Sequence, residues 1–258
     1  MIKVKNCLSN ISFRDTTDLL VYGHEGWLEF PRTHGHAGKK AEVFLKWGHN
    51  MQTDGLCRQE GLKAWVINPA GEKQELGIED GFPDYYVLSF VPEMEGLYQV
   101  VVQLDDFYSI DIEGKFRHGS RREWPGAVES VFYTQVYRTI IPVGHNLTGV
   151  INPVGTIMEI GPREWIGWQA GSDLEIEVFL NNQAIAGQEV IIAWNGPDGY
   201  RSSVAMTDEK GVTTVNLQEP GQYMFLARTS FPEKVADSHD KRSVTGTVTL
   251  LVTGRKPE

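Results

Sequence analysis

Short runs in which hydrophobic and polar residues alternate dominate the chain from about residue 40 onward. Within 173–180, Leu174, Ile176 and Val178 share one face, and glutamates occupy the other. A period of two is typical of a β-strand that has one face on a hydrophobic core and the other in water. Such runs, rich in β-branched and aromatic residues, predict strands at 40–47, 62–68, 85–91, 96–104, 173–180, 189–194, 211–217, 222–228 and 244–252.

Turns rich in glycine and proline separate these runs and recur at similar spacing in both halves of the chain. The turn at 69–71 is followed by a Gly-x-Tyr strand start at 96–98, and the turn at 197–199 is followed by another at 221–223. Short strands separated by such turns predict an all-β protein. The recurrence indicates an internal duplication, although any two β-sandwich domains can share this arrangement of turns.

Two β-sandwich domains fit both the length and the recurrence. A chain of 258 residues suffices for one large domain or for two average ones, each with its own core. We therefore predict two tandem Ig-like β-sandwich domains, 1–152 and 153–258, with the boundary in the proline-containing segment 151–162. The best candidate for a helix is 127–138, but its valine, phenylalanine and tyrosine residues fit a strand equally well.

Charge and missing motifs exclude several classes of function. The formal net charge of −10 disfavours binding to nucleic acid or to an anionic membrane surface. No run approaches 18 apolar residues, so we expect no membrane-spanning helix. The phosphate-binding loop, the dinucleotide-binding turn and the serine-nucleophile elbow are all missing, so we expect no enzyme. Cys7 and Cys57 are too few for a disulfide scaffold, and whether they pair is left open.

The distribution of histidines along the chain is the feature that indicates a metal-binding function. Six of the seven histidines precede residue 150, and four of them lie between residues 24 and 49. Neutral imidazole is a common protein ligand for nickel, copper, zinc and iron. Two strand ends and a flexible His-Gly-His loop can converge at one end of a sandwich, where loops gather. The sequence therefore predicts one metal site formed by His24, His34, His36 and His49.

Three further residues are candidate additional ligands of this site. Asp54 lies five residues after His49 and offers carboxylate oxygens. His118 and His145 offer further imidazoles, and the Gly-His pair that ends in His145 resembles the one that ends in His49.

Two other classes of function compete with metal capture. If the histidines are ordinary polar loop residues, the protein is a carbohydrate- or protein-binding module without a metal role. A metal-dependent hydrolase would need three ligands, an open coordination position and a base such as Glu25 or Asp54. Nothing in the residue spacing indicates such a base.

Four segments carry motifs of a known family. Residues 24–29 read HEGWLE, and residues 41–55 contain a predicted strand that ends in Gly-His. Residues 155–194 and 207–228 contain a Glu-Ile-x-Pro strand, a Thr-Asp-x-x-Gly hairpin and a Pro-Gly-x-Tyr strand. Over about residues 22–252, the chain resembles a bacterial family of unknown function associated with nickel and cobalt uptake, often labelled as periplasmic components of cobalt transport.

The resemblance implies a non-catalytic accessory protein that holds nickel or cobalt, with zinc or copper as occupants in vitro. It further implies transfer of the ion to membrane subunits of a metal transporter, with His24 and His49 among the ligands. It implies an Ig-like or carboxypeptidase-regulatory-like second domain and a periplasmic or other extracytoplasmic location. Because residues 1–23 lack the apolar core of a signal peptide, a cytoplasmic location is the alternative. We also expect 151–258, which contains only His239, to be dispensable for metal binding.

Overall fold

The computed structural model describes residues 24–254, and within that range the chain folds entirely into strands, turns and loops. The all-β fold class is confirmed, with sheets stacked in an Ig-like sandwich arrangement. Segment 127–138, the candidate helix, lies largely in a long strand. None of the described residues form a helix that is long and apolar enough to cross a membrane.

The strands are, in chain order, β1 (Glu25–Glu29), β2 (Ala41–His49), β3 (Gln52–Gly55), β4 (Leu62–Ile67), β5 (Lys73–Glu75), β6 (Glu79–Asp80), β7 (Tyr85–Phe90), β8 (Gly96–Ile110), β9 (Phe116–His118), β10 (Glu129–Val143), β11 (Gly149–Val150), β12 (Met158–Gly161), β13 (Glu164–Trp165), β14 (Asp173–Leu180), β15 (Gln183–Ala184), β16 (Glu189–Gly196), β17 (Gly199–Met206), β18 (Val212–Asn216), β19 (Gly221–Val235) and β20 (His239–Val252).

A nine-stranded sheet forms the central layer of the protein. Its strand order is β17-β16-β19-β20-β10-β8-β4-β5, and β9 pairs with β8. Strands from the two halves of the chain meet where β10 and β20 pair in parallel, from Val131 opposite Lys241 to Thr139 opposite Thr249. All other pairs within this sheet are antiparallel. Both halves of the chain therefore share one continuous sheet.

Two smaller sheets cover the two faces of the central sheet. The first has the order β1-β2-β7-β6, with β3 also paired to β2; the second has the order β12-β14-β15, with β18 also paired to β14. Successive residues of a strand point to opposite faces. Tyr137 accordingly packs into the core beneath the first small sheet, whereas Arg138 donates a hydrogen bond to the carbonyl oxygen of Ile160 in the second. Strands β11 and β13 form a separate two-stranded ribbon.

Each small sheet covers its own hydrophobic core. The first core draws its fully buried side chains from residues 28–143, and the second draws them from residues 140–252. The division into domains at residue 152 stays a prediction. The two cores lie on opposite faces of the shared sheet, where the residues of β10 alternate between them.

The C-terminal half contacts the strand that follows His24. Oγ1 of Thr247 donates a hydrogen bond to the carbonyl oxygen of Gly26 over 3.0 Å. Nη2 of Arg228 lies 3.4 Å from the carbonyl oxygen of His24, which it can bond. Removing 151–258 would delete both donors and β20, one of the two strands that pair with β10. These contacts weigh against the expectation that this half is dispensable for metal binding.

Candidate metal centres

The structure distributes the candidate ligands over two groups. In each group, one ligand atom per residue lies within 4.8 Å of those of the other two. We call the first group the His24 site and the second the histidine triad. The His24 site consists of His24, His49 and Asp54, and the histidine triad consists of His34, His36 and His145.

The four histidines expected in one site are therefore not brought together at one point. His24 immediately precedes β1, whereas His34 follows the end of that strand by five residues. An extended segment rises about 3.3 Å per residue, so a five-residue strand alone is roughly 17 Å long. One ion cannot bridge ligands at both ends of β1. That each of these residues binds a metal stays a prediction.

A tight hairpin positions two residues of the His24 site. Strands β2 and β3 are joined by Asn50 and Met51, whose φ angles of 55° and 53° are those of a type I′ turn. The register shifts at Gly48, where an added Cβ would lie only 2.0 Å from the carbonyl oxygen of Gln52. A glycine is thus required at this bulge. The hairpin carries His49 at the end of β2 and returns the chain so that Asp54 faces it.

The carboxylate of Asp54 joins the two imidazoles of the His24 site. Its Oδ1 lies 3.0 Å from Nε2 of His24, and its Oδ2 lies 2.8 Å from Nδ1 of His49. The imidazole of His24 is only 4% exposed and stacks on Trp47 at 5.4 Å between ring centroids, whereas His49 and Asp54 are 36% and 40% exposed. The site therefore has a rigid inner ligand and opens to solvent on its other side.

Glu25 adds a second carboxylate near the His24 site. Burial raises the pKa of its carboxyl group, an effect opposed by its own backbone hydrogen bond and by the charges of His49 and Arg228. Its Oε2 is buried and has no hydrogen-bond partner among the described residues. The sequence offers Glu25 only as a base that a metal-dependent hydrolase would need, and nothing in the residue spacing indicates that role. No sequence signal identified it as a buried carboxylate.

Two backbone hydrogen bonds assemble the histidine triad. The amide of Gly35 donates to the carbonyl oxygen of Pro142 over 2.8 Å, and the amide of Gly144 donates to the carbonyl oxygen of Gly35 over 3.0 Å. Gly35 thereby forms an isolated parallel bridge with Val143. This bridge places His34 and His36 beside His145, which the sequence indicated only as an additional ligand of a common site.

The three imidazole rings of the triad are close neighbours. Their centroids are 4.3 Å apart for His34 and His145, 4.8 Å for His34 and His36, and 5.6 Å for His36 and His145. Desolvation by burial lowers the pKa of His34, and positive charge on His145 and His36 lowers it further. The neutral imidazole, which is the form that binds metals, is favoured at this position.

His118, the remaining candidate ligand, lies in neither group. Its Nε2 is 2.8 Å from Oδ2 of Asp106, and its ring lies against the guanidinium group of Arg58. These partners explain its position without a metal. His239, which was not a candidate, is buried between Ser238 and Glu233.

A cavity of about 730 Å³ adjoins the His24 site. His24 and Trp47 line one part of it, and Arg58, His118 and Arg228 line others. The loop after β3 and side chains from the central sheet line the rest of it. The sequence could not predict this cavity, because its walls come from strands far apart in the chain.

Burial makes the thiol of Cys57 unreactive. Cys57 is 3% exposed, and burial raises the pKa of its thiol to about 12. Cys7, its candidate partner, lies outside the described residues. Because the thiolate is the reactive form, we expect Cys57 in the folded protein to resist iodoacetamide at pH 8 and to react once the chain is unfolded in guanidinium. Peptide mass spectrometry at Cys57 measures both states, and rapid labelling of the folded chain would contradict the prediction.

Comparison with protein families gives one match that covers most of the chain. The model of a domain of unknown function, DUF4198, matches residues 21–230. This range includes every residue of the His24 site and of the histidine triad. No curated protein matches the chain.

Solved structures give only distant likenesses. The chain is 16% identical to the Lin-41 filamin domain, covering 36% of this chain and 81% of that one, with a TM-score of 0.26. It is 8% identical to a DUF4785 family protein from Legionella pneumophila, covering 78% of this chain but only 51% of that one, with a TM-score of 0.29. Two fibronectin type-III domains of chicken tenascin show 10% identity, 87% and 97% coverage, and a TM-score of 0.22. At these values, none supports an inference about function.

Proposed function

The chain belongs to the DUF4198 family, whose domain has no known function, and we propose that it binds a divalent transition-metal cation in a non-catalytic role. The observation that carries the proposal is the geometry of the His24 site. Two imidazole nitrogens lie 3.0 and 2.8 Å from the two oxygens of one carboxylate. Such a donor set, borderline nitrogen with one anionic oxygen, suits nickel, cobalt, zinc and copper.

One ligand separation within the His24 site matches that expected for a six-coordinate ion. With metal–ligand bonds of about 2.1 Å, adjacent ligands of an octahedron lie about 3.0 Å apart. The Nε2 atom of His24 and the Oδ1 atom of Asp54 are separated by this distance. Nickel and cobalt, the ions implied by the family resemblance, accept six ligands, and the exposed side of the site leaves room for water at the remaining positions. Copper binds such donors more tightly in vitro, so selectivity in the cell rests on supply and geometry.

We further propose an accessory role in metal uptake, with which the same arrangement is compatible. His24 is held rigidly in the interior, whereas His49 and Asp54 are accessible and can release an ion to a partner. We propose the membrane subunits of a nickel or cobalt transporter as that partner, and an extracytoplasmic location, on the basis of the family resemblance. Cell fractionation tests the location, and co-purification with the transporter tests the partnership.

Metal titration of the full-length chain tests the proposed function. The protein is purified without a histidine tag, stripped with a chelator and titrated with Ni²⁺ and Co²⁺ by calorimetry. We expect saturable binding of both ions and none of Mg²⁺, because imidazole ligands disfavour hard cations. His118→Ala serves as the matched control, since His118 lies outside both groups, and it should leave affinity unchanged. Absence of saturable binding, or equal binding of Mg²⁺, would refute the proposal.

The large cavity favours a second candidate function, binding of a carbohydrate. Its lining combines the aromatic rings of Trp47, Tyr108 and Tyr133 with charged side chains, as sugar-binding surfaces do. Titration with soluble oligosaccharides, followed through tryptophan fluorescence of the metal-free protein, tests it. Saturable binding there, without any metal binding, would make this the preferred function.

A further inference from the structure

We propose that the histidine triad is a second transition-metal site, separate from the His24 site, in which three imidazoles and solvent coordinate the ion. It goes beyond the proposed function, because it concerns different residues at the other end of β1. Its first support is convergence: three imidazoles from two distant segments place one nitrogen each within 4.8 Å of the others. Ligands of one ion lie about 3 Å apart, so binding requires the rings to turn towards the ion, and the rings of His36 and His145 are exposed.

The backbone holds the triad in place. Gly35 lies between the two histidines of the His-Gly-His loop, and its hydrogen bonds to Pro142 and Gly144 tie that loop to the end of β10. A Cβ at position 35 would approach Cγ2 of Val143 to 3.3 Å, so glycine allows the loop to pack this closely. Histidines that met by chance on flexible loops would not share such a fixed support.

The hydrogen bonding of His34 suits a ligand. Its Nδ1 lies 3.1 Å from Oγ1 of Thr33. When Nε2 binds a metal, Nδ1 carries the proton and donates a hydrogen bond to the hydroxyl oxygen of Thr33. A partner of this kind fixes the orientation of a metal-bound imidazole. Thr33 therefore acts as a positioning residue.

The donor set of the triad differs from that of the His24 site. It contains three imidazoles and no carboxylate, and His36 and His145 are exposed. An ion bound there keeps its full positive charge and several water ligands, so it can exchange quickly. This chemistry selects Ni²⁺, Cu²⁺, Zn²⁺ or Co²⁺ over Mg²⁺ and Ca²⁺.

The amount of Ni²⁺ bound by four full-length chains distinguishes the two sites. They are the unchanged chain, His36→Ala/His145→Ala, His49→Ala/Asp54→Asn, and the chain with all four substitutions. All four positions are at least partly exposed, so folding should persist, and circular dichroism checks it. Equilibrium dialysis with metal analysis should give about two, one, one and zero bound Ni²⁺ per chain.

The outcomes distinguish this inference from the proposed function. If His36→Ala/His145→Ala binds as much Ni²⁺ as the unchanged chain, the second site does not exist, whatever the His24 site does. If that variant loses one equivalent while His49→Ala/Asp54→Asn loses none, the triad is a site and the His24 site fails. A Cu²⁺ electron paramagnetic resonance spectrum of His49→Ala/Asp54→Asn should show superhyperfine coupling to three nitrogens, and a spectrum without nitrogen coupling would overturn the inference.

Discussion

Replacing both His24 and His49 by alanine is expected to weaken Ni²⁺ binding at the His24 site by at least about a hundredfold. Each imidazole supplies one of the three ligands, and the loss of one ligand should cost tenfold or more, which is about 1.4 kcal/mol. The titration is best made in a chain that also carries His36→Ala and His145→Ala, so that one site is observed at a time. Calorimetry gives the dissociation constant for each single variant and for the pair.

Control variants decide how a loss of binding is interpreted. Because His24 is buried and stacks on Trp47, its replacement can disturb the hairpin, and circular dichroism with thermal unfolding must show a folded chain. His49→Ala removes an exposed ring and gives the cleaner measurement. His118→Ala, which removes an imidazole of neither site, should leave the dissociation constant unchanged. Unchanged affinity in both His24→Ala and His49→Ala would contradict the ligand assignment.

The local alternation of hydrophobic and polar residues predicted individual strands well. The strand predicted at 173–180 coincides with β14. The strand predicted at 40–47 begins one residue before β2 begins and ends two residues before β2 ends. Strands β8 and β10 are longer than any hydrophobic run suggests, since they extend to Ile110 and Val143. The far end of β8 contains Asp105 and Asp106, is largely half-buried and pairs with the start of β10, whereas the far end of β10, at 140–143, is apolar and buried. Periodicity reports burial, so it misses strand residues that lack a fully buried face, such as those at the end of β8.

The shared central sheet could not be predicted from the sequence. The parallel pairing of β10 with β20 joins segments more than 100 residues apart, and no turn or periodic pattern encodes such a contact. Two tandem sandwiches and two sandwiches built on one common sheet have the same alternation and the same turns. The two architectures differ only in which distant strands pair with each other. The residues of one strand do not specify which strands become its neighbours.

The ligand residues were predictable only in part, because some of them are brought together by contacts between distant strands. Asp54 lies five residues from His49, and a short hairpin necessarily returns it to that strand end. His34 and His36 are joined to His145 only through the bridge at Gly35, across more than 100 residues. The sequence therefore indicates which residue types can bind a metal. The number of sites depends on how the strands are arranged in space.

Replacing Arg138 by methionine is expected to destabilise the protein by about 3–5 kcal/mol, because it leaves the carboxylate of Glu159 buried without its cationic partner. Arg138 is 6% exposed and donates a hydrogen bond to the carbonyl oxygen of Ile160 over 2.6 Å, and its Nη1 lies 3.8 Å from Oε2 of Glu159. This contact links the central sheet to the small sheet formed by β12, β14, β15 and β18. Equilibrium unfolding in guanidinium measures the change in the free energy of unfolding.

The double variant Arg138→Met/Glu159→Gln separates loss of the buried charge pair from loss of packing. Val154 and Gly155 donate their amides to Oε2 and Oε1 of Glu159 over 2.9 and 2.8 Å, and glutamine keeps one of these two acceptors without the charge. Because no uncompensated charge remains, the double variant should be more stable than Arg138→Met alone. Arg201→Met, at an ion pair whose arginine is 44% exposed, is the matched control and should cost no more than about 1 kcal/mol. If Arg138→Met costs no more than this control, the buried pair does not hold the two sheets together.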